Sequence, residues 1–442
     1  MEPKTVSTKQ QRIAELARIH PEVSFTSLAY HIDIRWLYEA YQRTRKDGAV
    51  GVDKQTAEEY AEDLGNNLKL LLERAKSGRY VAPPVRRVHI PKDSTGKEFR
   101  PIGIPTFEDK VLQRAVQMLL EPLYEQDFLD CSYGFRPGRS AHDALESLWK
   151  QAMDIGGGWI IDLDIRKFFD TMDHTHLRNI LKRRVCDGVL IRLIGKWLNA
   201  GVMESGNLSY PERGTPQGGV ISPMLSNIYL HEVLDTWFAD VVKPRLKGQA
   251  FMIRFADDAV LVFSSEKDAL RVMEVLPKRF GKYGLTLHPE KTQLIDFNKP
   301  KTKEGSKEDP PKPATFNFLG FTHFWGRSRK GRWYIRRRTE KSRYSRALKA
   351  VDGWCRRNRH RSLKEQHKAL TKKLMGHYSY YGITGNAIWI VRFRNQVERI
   401  WRKWLNRRSR SPDMPWERFQ RLKARFALPY ARVVHSYCTA KL

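Results

Sequence analysis

Apolar residues in the first 80 positions recur at intervals of three or four, which predicts amphipathic α-helices. These predicted helices cover residues 11–20, 34–45 and 56–72. Pro83 and Pro84 follow and end this helical stretch. We therefore expect a helical N-terminal extension over residues 1–80.

Between residues 81 and 325 the pattern changes repeatedly between helical and alternating periods. Helices are predicted at 108–123, 174–184, 189–199, 222–238 and 266–280. Strands are predicted at 85–90, 100–104, 159–165, 251–255, 259–263, 291–297 and 316–324. A turn at 93–96 joins the first two strands into a hairpin, and Asp257 and Asp258 stand at the tip of a second hairpin. The mixture predicts an α+β fold.

The chain beyond Gly331 is predicted to be helical and basic. Before it, residues 299–313 are rich in Lys, Pro and Gly and indicate a surface loop. One apolar face repeats at helical spacing and predicts a buried helix core, formed by Ile390, Phe393, Val397, Ile400 and Trp404. We expect residues 326–405 to form a helical domain and residues 406–442 a basic tail.

Charge changes the picture, because 80 Lys and Arg stand against 49 Asp and Glu, for a net charge of +31. Residues 325–442 hold 33 Lys and Arg against 6 Asp and Glu, so +27 of that excess lies there. Such an excess favours a nucleic-acid partner over a solvated surface of mixed sign. No long apolar run and no signal peptide occur, and the four cysteines are far apart. We expect no membrane partner and a reduced, cytosolic setting.

Four carboxylates occupy positions where burial makes a charge costly. Asp162 and Asp164 lie on one face of an apolar strand, and Asp257 and Asp258 cap an apolar hairpin. Salt bridges to arginines such as Arg166 or Arg254 could compensate them. The alternative is a divalent metal site, in which two Mg²⁺ ions activate a 3′-hydroxyl and stabilise leaving pyrophosphate.

Seven motifs, in order along the chain, identify a resemblance to group II intron reverse transcriptases. The residues FADD at 255–258 resemble the YADD box of that family, with Phe255 in place of Tyr. The other motifs are RPIGIP at 100–105, YGFRPGR at 133–139, DLDIRKFFD at 162–170, GTPQGG at 214–219 with SPMLSN at 222–227, GLTLH at 284–288 with EKT at 290–292, and FLGF at 318–321. The resemblance covers roughly residues 30–405.

The resemblance implies a right-hand polymerase, with fingers and a palm built on a small antiparallel sheet over residues 81–325. Residues 326–405 would be the helical thumb, which is also the maturase domain, and 406–442 a DNA-binding tail. It implies that Asp164, Asp257 and Asp258 are the catalytic ligands of two Mg²⁺ ions. Asp162 is the second choice to Asp164, and for Asp162 we favour a structural salt bridge.

The resemblance also assigns substrate contacts. Phe169 matches the ring that blocks a ribonucleotide 2′-hydroxyl, with Phe168 competing for that role. Lys92 and Arg100 match contacts to the incoming triphosphate, Gln217 the residue beside the templating base pair, and Lys291 a primer-side contact. In the basic C-terminal part, Tyr378, Tyr380 and Tyr381 are predicted to bind RNA by stacking.

We therefore expect an RNA-directed DNA polymerase whose partners are intron RNA, a DNA primer or target, and dNTPs. A maturase that binds its intron RNA to assist splicing is the second function, and the family commonly has both. A domesticated relative in DNA repair or phage defence is a third possibility. No nuclease cassette follows the predicted thumb, as in compact family members that lack the endonuclease. The setting implied is the bacterial cytosol or nucleoid, and the sequence gives no oligomeric state.

Overall fold

The computed structural model describes most of the chain. The described residues are 5–91, 99–204, 206–210, 213–215, 218–300, 313–328, 330–408 and 414–436. The predicted turn at 93–96, most of the predicted loop at 299–313, Lys92 and Gln217 lie outside these residues. No helix among the described ranges is long and apolar enough to cross a membrane.

Four α-helices and one short 3-10 helix form the N-terminal region, as the periodicity predicts. They are α1 (Val6–Ile19), the 3-10 helix Leu28–His31, α2 (Ile34–Arg43), α3 (Ala57–Glu62) and α4 (Leu64–Ser77). Side-chain oxygens cap the first turns of α2 and α3: Asp33 accepts a hydrogen bond from the Trp36 N–H, and Thr56 forms a capping box with Glu59. The single helix predicted over 56–72 is instead two, with a break at Asp63.

Seven further α-helices occupy the middle of the chain. They are α5 (Phe107–Tyr124), α6 (Ala141–Asp154), α7 (Phe168–Thr171), α8 (His174–Lys182), α9 (Gly188–Leu198), α10 (Ser222–Leu230) and α11 (Glu266–Gly281). The longest of these is α5, whose apolar side chains lie in the main hydrophobic core. The sequence prediction missed α6. It also extended α10 to residue 238. In the structure α10 ends at Leu230, and the chain continues as two π-helical segments, His231–Asp235 and Trp237–Val242, and a 3-10 turn, Lys243–Arg245.

Eleven strands form three small sheets within the described chain. The strands are β1 (Val85–Pro91), β2 (Phe99–Ile104), β3 (Trp159–Leu163), β4 (Val202–Glu204), β5 (Asn207–Ser209), β6 (Ala250–Phe255), β7 (Asp258–Phe263), β8 (Gln293–Asp296), β9 (Phe316–Phe318), β10 (Phe321–Arg327) and β11 (Trp333–Thr339). Their orders are β2-β1-β4-β5, β6-β7-β3-β8 and β11-β10-β9. Both predicted hairpins are confirmed as neighbouring strands, whereas β4, β5 and β11 were not predicted.

The register of the sheet β6-β7-β3-β8 brings the acidic residues together. Antiparallel β3 and β7 pair Asp162 with Val260 and Leu163 with Ala259. Because β3 ends at Leu163 and β7 begins at Asp258, Asp164 and Asp258 lie at the same end of these two strands. Since β6 and β7 pair up to Phe255 and Asp258, only Ala256 and Asp257 remain in the loop between them. Two segments distant in sequence thus meet at one end of the sheet.

The described residues cluster into two compact units. The first comprises 1–90, 99–144 and 159–294, and contains the end of strands β3 and β7 where the acidic residues lie. The second comprises 91–98, 145–158 and 295–442, and contains β9–β11 with α12 (Lys341–Arg357), α13 (Leu363–Tyr381), α14 (Ala387–Leu405) and α15 (Trp416–Arg425). The C-terminal helices share a core that includes Ile390, Phe393 and Val397, as the sequence predicts. The helical character expected directly after Gly331 is wrong for Trp333–Thr339, which is a strand.

Candidate active site

The turn that carries Asp257 is closely packed and has a strained backbone. Ala256 adopts a φ of 57°, a left-handed conformation that is strained for any residue with a Cβ. Gly134 packs directly beneath it, since a Cβ on Gly134 would lie 2.3 Å from the Ala256 nitrogen. Gly134, the first glycine of the YGFRPGR motif, therefore lets the turn approach the neighbouring segment closely.

The fully buried guanidinium of Arg254 forms a hydrogen bond with the backbone of this turn. The Arg254 side chain donates to both carboxylate oxygens of Asp235, at 2.7 and 2.5 Å, and to the Ala256 carbonyl at 2.9 Å. It also donates to Asn227 Oδ1 at 3.0 Å and Ser132 Oγ at 2.8 Å. All five N–H donors of a guanidinium are thus satisfied. We infer that Arg254 fixes the position of the turn.

The acidic side chains influence one another electrostatically. Burial raises the pKa of Asp162 to about 7, and Asp258 and Asp164 add to that rise as like charges. Burial also raises the pKa of Asp257; Asp164 contributes to the rise, and Arg100 opposes it. The structure therefore brings Asp162, Asp164, Asp257 and Asp258 into one electrostatic cluster. Arg100, predicted to contact the triphosphate, acts on the same cluster.

The salt bridge favoured for Asp162 is wrong for the part of the chain that the structure describes. No Lys or Arg there forms an ion pair with Asp162, and the charges that act on it are acidic. Arg254, which was one possible partner for these acids, is paired with Asp235 instead. Within the described residues, Asp162 therefore lacks a compensating positive charge.

Asp164 stands at the end of β3, where a second segment fixes its backbone. Its carbonyl accepts hydrogen bonds from the His288 N–H at 2.8 Å and from Thr292 Oγ1 at 3.2 Å. The Lys291 ammonium lies 3.4 Å from Asp164 Oδ2, and both side chains are substantially exposed. The structure thus brings Lys291, predicted as a primer-side contact, to the predicted metal ligand.

The side chains of this acidic cluster have the chemistry of a Mg²⁺ site. Carboxylate oxygens are the hard ligands that Mg²⁺ prefers, and like-charge repulsion between buried carboxylates is relieved by a cation. The raised pKa of Asp162 and of Asp257 fits such a site. In their present conformation, the described residues contain no group of three His, Cys, Asp or Glu arranged to hold a metal ion. Closure of these carboxylates around an ion would require side-chain movement.

The two candidate rings for sugar selection have different environments. Phe168 is buried in the core and meets the Tyr229 ring at 6.4 Å. Phe169 is only partly buried, and its carbonyl accepts a hydrogen bond from the Thr215 N–H at 2.7 Å. The exposure of Phe169 favours it over Phe168 as the ring that faces a substrate. Its backbone also ties the DLDIRKFFD motif to the GTPQGG motif.

Gly214 and Gly218 flank Gln217 in the chain and lie against neighbouring segments. Gly214 and Gly218 have φ values of 90° and 118°, and an added Cβ at either would lie 2.7 Å from a backbone oxygen, that of Phe169 or Gly103 respectively. These glycines permit close contact with both neighbouring segments. The Gln113 side chain accepts a hydrogen bond from the Val220 N–H at 2.8 Å. Gln217 itself lies outside the described residues, as does Lys92.

The predicted RNA-binding tyrosines require a correction. Tyr378 is fully buried in the core of the C-terminal helices, and its hydroxyl donates to the Pro429 carbonyl at 3.2 Å. A buried ring cannot stack on a base, so that prediction is wrong for Tyr378. Tyr380 and Tyr381 are half-buried and pack against Phe321 at 5.8 and 5.3 Å. Their predicted RNA contacts stay predictions.

Comparison with known proteins shows the family to which this chain belongs. The family model for reverse transcriptase (RNA-dependent DNA polymerase) matches residues 90–323, and the chain belongs to this family. It is 34% identical to protein YkfC of Escherichia coli over 66% of this chain and 85% of that protein. It is 38% identical to the group II intron-encoded protein LtrA of Lactococcus lactis subsp. cremoris over 50% of this chain and 37% of LtrA. Nuclear intron maturase 1 of Arabidopsis thaliana is 31% identical over 27% of this chain and 17% of that protein. The chain therefore spans well under half of LtrA, although it covers most of YkfC.

Proposed function

We propose that this reverse transcriptase copies intron RNA into DNA by nucleotidyl transfer with two Mg²⁺ ions held by Asp164, Asp257 and Asp258. The observation that carries the proposal is the meeting of these acids at one end of the inner strands β3 and β7. Burial raises the pKa of Asp162 and of Asp257 there; Asp258 and Asp164 add to the first rise, and Asp164 adds to the second. Bound Mg²⁺ supplies activation of the primer 3′-hydroxyl and stabilisation of leaving pyrophosphate. In this proposal residues 81–325 form the fingers and palm, 326–405 the thumb, and 406–442 a DNA-binding tail.

The chain's own residues would position the substrates around this centre. Arg100, whose charge already acts on Asp257, offers a planar donor fork to the triphosphate of a dNTP, together with Lys92. The half-exposed ring of Phe169 would exclude the 2′-hydroxyl of a ribonucleotide. Lys291, beside Asp164, would contact the primer strand, and Gln217 the templating base pair.

Assistance to intron splicing is the second half of the proposal. Its support is the similarity to an intron maturase and to LtrA, together with the +27 net charge of residues 325–442. Such a surface neutralises RNA phosphates through counterion release. The partners proposed are therefore intron RNA, a DNA primer or target, and dNTPs.

Primer extension on an RNA template tests the metal assignment. Asp257→Asn and Asp258→Asn should each reduce the extension rate by several orders of magnitude while RNA affinity stays within a few fold. Asp296→Asn, which removes an exposed carboxylate from β8, is the matched control and should extend at the wild-type rate. Wild-type extension by either of the first two variants would refute the assignment.

A further inference from the structure

An open groove lies in the first unit, apart from the candidate active site. Its volume is about 350 Å³, and it lies between the 3-10 helix Leu28–His31, the end of α4 and the beginning of α9. The residues that give it chemical character are Thr26, Ser27, Tyr30, Lys76, Asp187 and Arg192. None of them belongs to the motifs of the active site.

Buried hydrogen bonds make the floor of the groove rigid. Asp187 caps α9 by accepting from the Val189 and Leu190 N–H groups at 2.8 and 3.1 Å, and its second oxygen accepts from the Ala29 N–H at 2.8 Å. One carboxylate therefore joins the 3-10 helix to α9. Phe25 adds backbone hydrogen bonds to Arg184 and Cys186, both at 2.8 Å. The groove is preformed, and the Asp187 charge is directed at backbone N–H groups rather than at a ligand.

The rim offers two cations, an aromatic ring and hydroxyl groups. Lys76 and Arg192 are exposed, and neither forms a salt bridge with any residue in the described ranges. Tyr30 is 81% exposed, so its ring is accessible to a stacking partner. Ser27 and Thr26 are exposed beside it. Stacking surface, phosphate-binding cations and hydroxyl groups are the combination that recognises single-stranded RNA.

We propose that this groove binds one unpaired nucleotide of an RNA strand. The base stacks on Tyr30, the flanking phosphates lie against Lys76 and Arg192, and the hydroxyl groups of Ser27 and Thr26 face the ribose. The volume is at the lower end of the roughly 300–1,000 Å³ of small-ligand pockets, so it suits a single splayed-out base rather than a duplex. An acidic peptide could use the cations but would leave the aromatic ring uncovered.

Binding of the full-length protein to labelled single-stranded oligouridylate, measured by fluorescence anisotropy across salt concentrations, tests the proposal. Lys76→Gln and Arg192→Gln should each weaken binding several-fold and reduce the salt slope by about one. Tyr30→Ala should weaken it by about tenfold, and Tyr30→Phe should keep wild-type affinity because stacking needs only the ring. The matched control is Lys69→Gln, which neutralises another exposed lysine of α4 outside the groove and should change the slope least.

Two further readouts separate this groove from the active site. Turnover on a short saturating primer–template should be unchanged in Lys76→Gln and Arg192→Gln. Photocrosslinking with 4-thiouridine RNA should map to Tyr30 in the wild type. The proposal is overturned if Lys76→Gln and Arg192→Gln behave like Lys69→Gln, or if polyglutamate competes as well as RNA. Equal losses in Tyr30→Phe and Tyr30→Ala would refute base stacking.

Discussion

Replacing Arg254 with lysine tests whether the Arg254 guanidinium fixes the position of the turn that carries Asp257. The variant keeps the positive charge opposite Asp235 but replaces a planar fork of five donors with a compact ammonium that has three. The ammonium cannot reach the Asp235 carboxylate, the Asn227 amide oxygen and the Ala256 carbonyl together. The strained turn that carries Asp257 therefore loses its direct support.

The structure sets the size of both expected effects. At least two buried acceptors lose their donor, and each costs about 1–3 kcal/mol, so the free energy of unfolding should fall by about 2–6 kcal/mol. A domain typically has about 5–15 kcal/mol, so a folded variant with a lower melting temperature is expected. Displacement of reacting groups by about 1 Å costs roughly 100-fold in rate. Single-nucleotide incorporation should therefore slow by about two orders of magnitude at a temperature where circular dichroism shows a native fold.

Arg184→Lys is the matched control for this effect. Arg184 is also buried and paired, with Nε 2.8 Å from Asp127, and its other nitrogens donate to backbone carbonyls of the N-terminal region. Its replacement should lower stability similarly and leave incorporation within a few fold of the wild type. If Arg254→Lys incorporates nucleotides at the wild-type rate, or if Arg184→Lys slows equally, Arg254 does not position the turn.

Four other variants test separate parts of the proposed chemistry and of the burial argument. Phe169→Ala should incorporate ribonucleotides far more readily in a competition assay, whereas Phe168→Ala should lose about 3–5 kcal/mol of stability without a change in sugar preference; equal loss of activity with both sugars in Phe169→Ala would indicate a packing role instead. Asp109 has a pKa raised to about 8, mainly by burial and then by Asp53, and it accepts a hydrogen bond from the Tyr80 hydroxyl. The folded state keeps a proton that the unfolded state releases above about pH 4, so wild-type stability should fall from about pH 4 to about pH 8 and then level off. Urea midpoints of Asp109→Asn should lose this fall, and an unchanged pH dependence would contradict the burial argument. Asp257→Ala should lose cDNA synthesis yet keep intron splicing and a steep salt dependence of RNA binding, because +27 of the net charge lies in residues 325–442; complete loss of splicing in a folded Asp257→Ala protein would refute the maturase function.

Elements with simple periodicity could be predicted from the sequence, whereas a strand rich in basic residues was missed. Hairpin β6–β7 and the apolar face of α14 followed from spacing alone. Strand β11 was missed because Arg337 and its neighbours resemble an exposed basic stretch, although Arg337 is buried and donates to the Leu145 carbonyl at 3.3 Å. The π-helical segments after α10 were missed because the apolar pattern there resembles that of an α-helix, which the prediction continued to residue 238.

The candidate site shows the same division between local and distant signals. The acids were found because a charge within an apolar strand or hairpin is visible locally. The partner of Arg254 was not predictable, because Asp235 lies on another element and no spacing rule connects them. Burial of Tyr378 could have been inferred, since Leu370, Leu374 and Tyr378 recur every four residues and form one face of α13.

The pattern of ion pairs around the catalytic turn favours an external cation. The chain has 80 Lys and Arg, and it uses Arg254 to neutralise Asp235, a buried acid next to the turn. In the described parts of the chain Asp162 nevertheless has no basic partner, and the pKa of Asp162 and of Asp257 is raised by burial and by neighbouring carboxylates. Buried charges normally have a partner because desolvation is costly. Lys291 lies beside Asp164 and Arg100 acts on Asp257, but the charges that act on Asp162 are acidic, which supports the proposed divalent ions.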